Sequence, residues 1–218
     1  MRGFLRRKKS PQRLLKQKSF RMSTPIARLS VADYLRAERA SELKHEFHEG
    51  VVAVMVGGSR RHARIITNLI NVFSELLTNH DADVLSQALR VRVDAADLYT
   101  YPDVIIVCGS PVLEDDHNDT LMNPTVIIEV LSPSTEAYDR GQKADYYRQI
   151  PSLREYVPVA QHQPSIDHYV RKENYEWVTR HGCERIKQVL SLETLDLEIP
   201  LRRIYHKIDF PTLTRPQH

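Results

Sequence analysis

The stretch Val126-Ile127-Ile128-Glu129-Val130-Leu131 decides how this chain is read. It has the length and composition of a buried strand, with a carboxylate in its apolar middle. A carboxylate in such a place is costly unless it is paired or bound to a metal. Upstream, Tyr101-Pro102-Asp103 opens a second apolar run, Val104-Ile105-Ile106-Val107, and downstream Lys143 falls on an expected helix. Asp103 begins its strand and Glu129 lies near the close of its own. If these consecutive strands are antiparallel neighbours, the two acids face a common edge of the sheet. Two such carboxylates repel unless a cation lies between them. Mg²⁺, which prefers oxygen ligands and keeps several waters, is the natural partner, with Mn²⁺ able to substitute. Such an ion polarises a phosphodiester oxygen and supplies a hydroxide-like nucleophile. A nearby lysine can stabilise the charge that develops on the phosphate. Two acids and a lysine, delivered by two strands and a helix, are the parts of a metal-dependent phosphodiesterase.

Outward from these strands the pattern alternates. Ser30 is a candidate N-cap for a short helix beginning Val31-Ala32-Asp33-Tyr34-Leu35. His45 to Val56 reads as strand, turn and strand, with Gly50 in the turn and Gly57-Gly58 as the next break. Arg60 to Asn79 is an amphipathic helix whose Ile65, Leu69, Val72, Phe73, Leu76 and Leu77 recur at three-and-four spacing. Residues 83–93 read as one strand, 94–100 as a turn, and 103–108 and 125–131 as the two buried strands. Between those two lies an acidic loop with Glu114, Asp115, Asp116 and Asp119, expected to be a solvated surface. A helix over about 136–150 carries Asp139, Lys143, Tyr146 and Tyr147 and stops at Pro151. Strands are expected at 154–159, 165–171 and 175–180, and a weaker apolar segment near 186–199. Pro158 removes a ladder donor, so its strand should be an edge or bulged there. The expectation is an α/β domain, a mixed central sheet flanked by helices.

A chain of 218 residues can bury a real core, and no apolar stretch is long enough to cross a bilayer. Cys108 and Cys183 fit no zinc spacing and read as unpaired thiols of a cytoplasmic protein. The formal charge of +3 hides an asymmetry. Residues 1–21 hold nine lysines and arginines and no acid; removing those nine charges from +3 leaves about −6 for the rest. The segment reads as a nucleic-acid-binding arm or, more blandly, as a basic disordered extension over 1–22, with Met22 opening a more conventional chain. It has no secretory-signal pattern. Residues 23–210 are expected to form one domain and 211–218 a tail.

At the acids and the lysine the chain resembles the PD-(D/E)XK nuclease superfamily, and more closely the Uma-two family of restriction-endonuclease-like proteins. The matching stretches are Lys44-His45-Glu46-Phe47-His48-Glu49-Gly50, His62 with Asn68-Leu69, and Tyr101-Pro102-Asp103-Val104. They continue through Pro124-Thr125-Val126-Ile127-Ile128-Glu129-Val130-Leu131-Ser132-Pro133-Ser134-Thr135, then Asp139, Lys143 and Tyr146-Tyr147. The resemblance implies a restriction-endonuclease-like fold and a Mg²⁺-dependent endonuclease acting on DNA, by analogy a homodimer. It implies Asp103 and Glu129 as metal ligands, Glu46 as an additional acid and Lys143 as the catalytic lysine. One departure stands out. The superfamily's usual lysine follows the glutamate by two residues, and here that position is Leu131. Arg60, Arg61 and Arg64, with His62, cluster at one helix start and are candidate backbone contacts for nucleic acid.

Blander readings stand beside these. Asp103 could be a turn residue before a strand. Glu129 could pair with Arg90 or Arg92, and Lys143 with Asp139 four residues earlier. Glu46 and Glu49 compete for one role, and His62 could merely cap its helix. An acidic domain is awkward for a DNA binder. A nuclease-like fold kept as a binding or interaction module without turnover, favoured by Leu131, is the alternative function. A structural α/β protein with an ion-paired Glu129 is a third.

Overall fold

The computed structural model describes residues 28–210 apart from Val56; the expectations for 1–22 and for 211–218 lie outside the described residues. The chain runs α1 (Val31–Ala40), β1 (His45–His48), β2 (Val51–Val54), α2 (Arg60–Leu76), β3 (Ala82–Ser86), β4 (Arg90–Val93), β5 (Leu98–Thr100) and β6 (Val104–Cys108). It continues β7 (Thr120–Leu121), β8 (Val126–Leu131), α3 (Glu136–Arg140), α4 (Gln142–Tyr147), β9 (Glu155–Ala160) and β10 (Ile166–Arg171). The last elements are β11 (Trp177–Cys183), β12 (Val189–Leu192), β13 (Leu197–Pro200) and α5 (Leu201–Ile204).

The two predominantly apolar runs become neighbouring central strands because both faces must be covered. The central sheet has the order β11-β10-β9-β8-β6-β3. Within it β8 runs antiparallel to β6 and parallel to β9, so the sheet is mixed. Side chains alternate across it. On one face Val104, Ile106, Val126, Ile128 and Val130 pack against the apolar stripe of α2, formed by Ile65, Leu69, Val72 and Phe73. On the other face Ile105, Val107 and Ile127 pack with Ala144 and Tyr147 of α4 and Tyr156 of β9. Each such fully buried aliphatic or aromatic side chain contributes about 1.5–3 kcal/mol before the entropy of ordering it is subtracted.

A second sheet, β2-β1-β5-β4-β7, stands beside the first. Helix α1 covers it through Tyr34 and Leu35, which pack on Phe47 and Tyr99. Ser30 caps that helix as expected, its hydroxyl accepting from the Asp33 amide. Among the described residues no helix is long and apolar enough to cross a membrane. Cys108 and Cys183 are both free thiols.

Several sequence expectations are corrected. Residues 83–93 form two strands in two sheets, because the chain leaves β3 at Gln87-Ala88-Leu89 and re-enters as β4 beside β5. The expected turn at 94–100 contains β5, pulled into the ladder by β1 and β4. The helix over 136–150 is broken at Gly141, whose dihedrals (φ −105°, ψ −104°) are not helical, and so becomes α3 and α4. Pro158 does not mark an edge: β9 is interior, paired with β8 on one side and β10 on the other. The break in hydrogen bonding falls toward β10, where pairing lapses across Val157 and Pro158 and resumes in the same register. The acidic loop is not simply solvated. Arg39 holds Asp115 and Asp119 at 2.7 and 2.8 Å, Arg90 also holds Asp119, and Arg92 holds Glu114. Asp116 alone of the four acids is exposed.

Candidate active site

The site forms where β8, β6, β1 and α4 meet. Pairing of Val104 with Ile128 and of Ile105 with Ile127 sets the register of β6 and β8. Extended by one residue, that register puts Asp103 opposite Glu129, on the face that carries α4. The Asp103 carboxylate accepts the Val130 amide at 2.8 Å, which ties the start of one strand to the end of the other. His62, in the first turn of α2, reaches the same oxygen at 3.3 Å.

Glu46 arrives from β1. Extending the pairing of Phe47 with Tyr99 and of His48 with Leu98 puts Thr100 beside it, and the Thr100 hydroxyl donates to its carboxylate. Beneath β1 the buried Glu38 of α1 accepts the His45 amide at 2.8 Å and the Tyr101 hydroxyl at 2.7 Å. One carboxylate thus fixes the residue before Glu46 and the residue two before Asp103. Glu49 lies away from this centre, exposed in the β1–β2 turn with φ +46°.

Lys143 projects from α4 into the acids. Its ammonium lies 2.9 Å from Glu129, 3.0 Å from Glu46 and 3.7 Å from Asp139. The Lys143 and Glu129 side chains are each 7% exposed. The Tyr147 hydroxyl, one helical turn on from Lys143, donates to Glu129 at 2.7 Å. Arg90 and Arg92, candidate partners of Glu129 in the sequence, are committed to the acidic loop instead. The Asp139–Lys143 pair expected from helical spacing exists, but it is the longest of the three contacts.

Burial pushes the Glu129 carboxyl up; Lys143 opposes the shift, and Asp103 and Asp139 reinforce it. Burial also raises Asp139. Burial works against the Lys143 charge, but Glu129, Tyr147, Glu46 and Asp139 outweigh it, so the ammonium holds its proton well above the ordinary lysine range. For His62, burial is likewise outweighed, by the hydrogen bond and charge of Asp103, and its pKa rises.

These groups open onto a cleft of about 1080 Å³. Its walls include Val51, Ala53 and Val54 of β2, Ser132 to Thr135 after β8, Tyr138, Gln161 and His162. Among the described residues no three His, Cys, Asp or Glu side chains form a ready metal cage. The donor set nevertheless suits Mg²⁺. It is all oxygen, it places carboxylates on adjacent strands, and four acids (Glu46, Asp103, Glu129, Asp139) outnumber Lys143 and His62. Mg²⁺ needs only one or two protein carboxylates, since water completes its shell.

Asp139, Tyr147, Thr100 and Glu38 were not identified as site residues from sequence. The i, i+4 spacing of Lys143 with Asp139 and with Tyr147 was a usable signal for the first two; Thr100 and Glu38 had none. Of the arginines expected to meet nucleic acid, Arg60 and Arg64 are exposed. Arg61 lines the cleft but donates to the main-chain carbonyls of Gln161 and Asp209.

Residues 31–202 match the model of the Uma2 family, described as "Putative restriction endonuclease". The uncharacterized protein slr1290 of Synechocystis sp. is 32% identical over 190 residues, 86% of this chain and 97% of its own length. A second uncharacterized Synechocystis protein, sll1609, is 30% identical over 150 residues, 69% of this chain and 85% of that protein. Among solved structures, a protein from Anabaena variabilis described as a putative nuclease belonging to DUF820 has a TM-score of 0.65 at 14% identity, covering 81% of this chain and 97% of that one. At that identity the likeness concerns the fold, which is restriction-endonuclease-like.

Proposed function

We propose that this chain, which belongs to the Uma2 family, is a metal-dependent nuclease that hydrolyses phosphodiester bonds, with DNA as the substrate and Mg²⁺ as the ion. The observation that carries this reading is Lys143, buried among Glu46, Glu129 and Asp139 at the floor of an open cleft, with Asp103 across the strand pair from Glu129. A structural ion pair needs no such surplus of acid and no opening.

Asp103 and Glu129 would hold the ion, and Glu46 would assist through its waters. When bound, the ion supplies Lewis acidity toward a phosphodiester oxygen. Lys143 keeps its proton at Nζ, so it acts as a fixed positive charge beside the scissile phosphate rather than as a base. Tyr147 and Thr100 orient Glu129 and Glu46 through their hydroxyls. The Val130 amide fixes one oxygen of Asp103 and leaves the other available. A homodimer, cutting one strand per subunit, is the assembly that suits a duplex substrate.

Leu131 favours the alternative of a binding module without turnover. Lys143 answers it, because a lysine nitrogen 2.9 Å from Glu129 is supplied from α4 instead of from β8. The test is incubation of purified protein with labelled DNA or RNA in Mg²⁺, Mn²⁺ or EDTA. We expect metal-dependent cleavage that falls at least about 100-fold in Asp103→Asn and Glu129→Gln variants, together with loss of Mn²⁺ binding by calorimetry. Undiminished cleavage by Asp103→Asn would reject the site. Nucleic-acid binding with no cleavage in any metal would select the alternative.

A further inference from the structure

Lysines and arginines that neutralise phosphates supply much of a nucleic-acid site's affinity. Among the described residues lining the cleft, Arg61 and Lys143 are the lysines and arginines. Arg61 is spent on two main-chain carbonyls and Lys143 on three carboxylates. Net positive charge lies instead in two stretches of sequence. Residues 60–74 and 201–208 together hold six lysines and arginines and no acid. Residues 22–218 carry about −6, once the nine charges of residues 1–21 are taken from +3, so setting these six aside leaves about −12 for the others.

The fold brings the two stretches together. Helix α2 starts at the cleft, where Ser59 and Arg61 line the wall and His62 reaches Asp103. Arg60, Arg64, Thr67 and Asn71 recur at the helical period and are all exposed, so they share one outward face. From Arg60 to Asn71 that face is eleven residues long, about 16 Å at 1.5 Å per residue. Helix α5 lies alongside. Asn68 donates to the Ile204 and His206 carbonyls at 2.8 and 2.9 Å, and Arg61 donates to the Asp209 carbonyl at 3.0 Å. The Tyr205 hydroxyl fixes α5 to the central sheet through the carbonyls of Ala160 and Ser165. Between the helices runs a groove of about 460 Å³, lined by Asn68, Asn71, Val72, Arg202, Arg203 and His206. Glu75, the first acid of α2, is paired with Arg203 at 2.6 Å. Elsewhere Arg36 pairs with Asp33 and Arg148 with Asp145. Among the described residues no acid pairs with Arg60, Arg64, Arg202 or Lys207, and all four are exposed.

We propose that the α2–α5 face is a second nucleic-acid contact, which holds the phosphate backbone of duplex DNA beside the segment lying in the cleft. This rests on the nuclease reading of the site and adds to it. Chemistry is confined to an acidic cleft, and affinity comes from a basic face that begins at its rim. The donors select phosphate: guanidinium groups from both helices, with the Asn71 amide and the His206 ring in the same groove. A duplex carries one charge per about 1.7 Å of its axis, so about 16 Å of α2 lies against about nine phosphate charges. Contacts of this kind set position on the duplex without reading its sequence. Asn68, Arg61 and Tyr205 hold the two helices in place before any ligand arrives, so little ordering cost remains.

The experiment uses the full chain and two triple variants. One carries Arg60→Gln, Arg64→Gln and Arg202→Gln. The other carries Arg36→Gln, Arg154→Gln and Lys172→Gln, and so loses the same charge from α1 and from the residues flanking β9 and β10. Binding to a fluorescent DNA duplex is measured by anisotropy in EDTA across a salt series, and cleavage in Mn²⁺ is measured in parallel. We expect the first variant to bind at least about tenfold more weakly at low salt, with a salt slope shallower by about 0.9 per lost contact. The second should keep the wild-type slope. Arg202→Gln alone should take about 0.9 from the slope, which ties α5 to the face. An unchanged slope in the first variant would overturn the proposal. So would equal losses in both triple variants, which would mean that net charge alone matters. The Asp103→Asn chain separates the two readings: it should lose cleavage and keep the wild-type slope. If no chain cleaves but the first variant still flattens the slope, the contact face stands and the hydrolytic reading falls. If the wild-type chain cleaves and the slope does not move, the reverse holds.

Discussion

Replacing Lys143 with methionine tests whether the buried cluster is held as described. The substitution keeps most of the aliphatic stem and removes the ammonium that lies within 4 Å of Glu46, Glu129 and Asp139. Stripping the partner from a buried charge costs about 3–5 kcal/mol. For a chain of this length each kcal/mol lowers Tm by about 2–4 °C, so we expect a fall of roughly 6–20 °C in EDTA near neutral pH. Two terms can reduce it. Glu46 is 21% exposed and can rehydrate, and Glu129, already pushed up by burial, can take a proton. The second term has a definite sign. A carboxyl whose folded pKa lies above its unfolded value makes the fold more stable at low pH, and this contribution is lost as pH rises through the folded pKa. The deficit of the Lys143→Met chain should therefore shrink on acidification. A double-mutant cycle with Glu129→Gln should yield a coupling of about 2–3 kcal/mol. The assay is thermal and urea unfolding of the four chains at two pH values. A coupling below about 0.5 kcal/mol, as for an exposed pair, or a deficit that grows on acidification, would refute the buried-cluster account.

Other consequences concern the surroundings of the site. The Arg39 hydrogen bond, reinforced by Arg90, holds the Asp119 carboxyl well below the usual range. Its contribution is present above the ordinary carboxylate pKa and lost as pH falls through the folded value. Pairwise melts of wild type and Asp119→Asn should therefore begin to converge as pH falls below about 4 and approach each other further with acidification. Gly50 has φ +85° and meets Arg28, so Gly50→Ala should cost at least about 1 kcal/mol in urea unfolding. Asn68 donates to the Ile204 and His206 carbonyls at 2.8 and 2.9 Å. Asn68→Ala leaves both short of a donor and should cost about 1–3 kcal/mol, with faster amide exchange in α5.

Much of the candidate site was legible because it is written in local pattern. A run of apolar residues longer than a turn can leave unburied forces Val126 to Leu131 and Val104 to Val107 into the interior, and it makes Glu129 conspicuous there. Consecutive order and strand ends then brought Asp103 to it. Helical spacing over Arg60 to Leu77 was equally visible, because a buried stripe must recur at the helical period. The partners of these groups were not legible. Nothing in residues 83–93 announces that the chain leaves one sheet for another, since both halves are extended and half apolar. Pro158 sits inside a sheet although proline is at home at edges, because its missing donor faces a lapse in pairing that only the neighbouring strand creates. Glu129 had arginine candidates in Arg90 and Arg92 on an earlier strand, and distance alone assigned those arginines to Asp119 and Glu114 and gave Glu129 to Lys143. Burial, charge and period are properties of a segment, and the sequence determined them. Which acid meets which base depends on where remote segments come to rest against each other, and only the tertiary structure decided that.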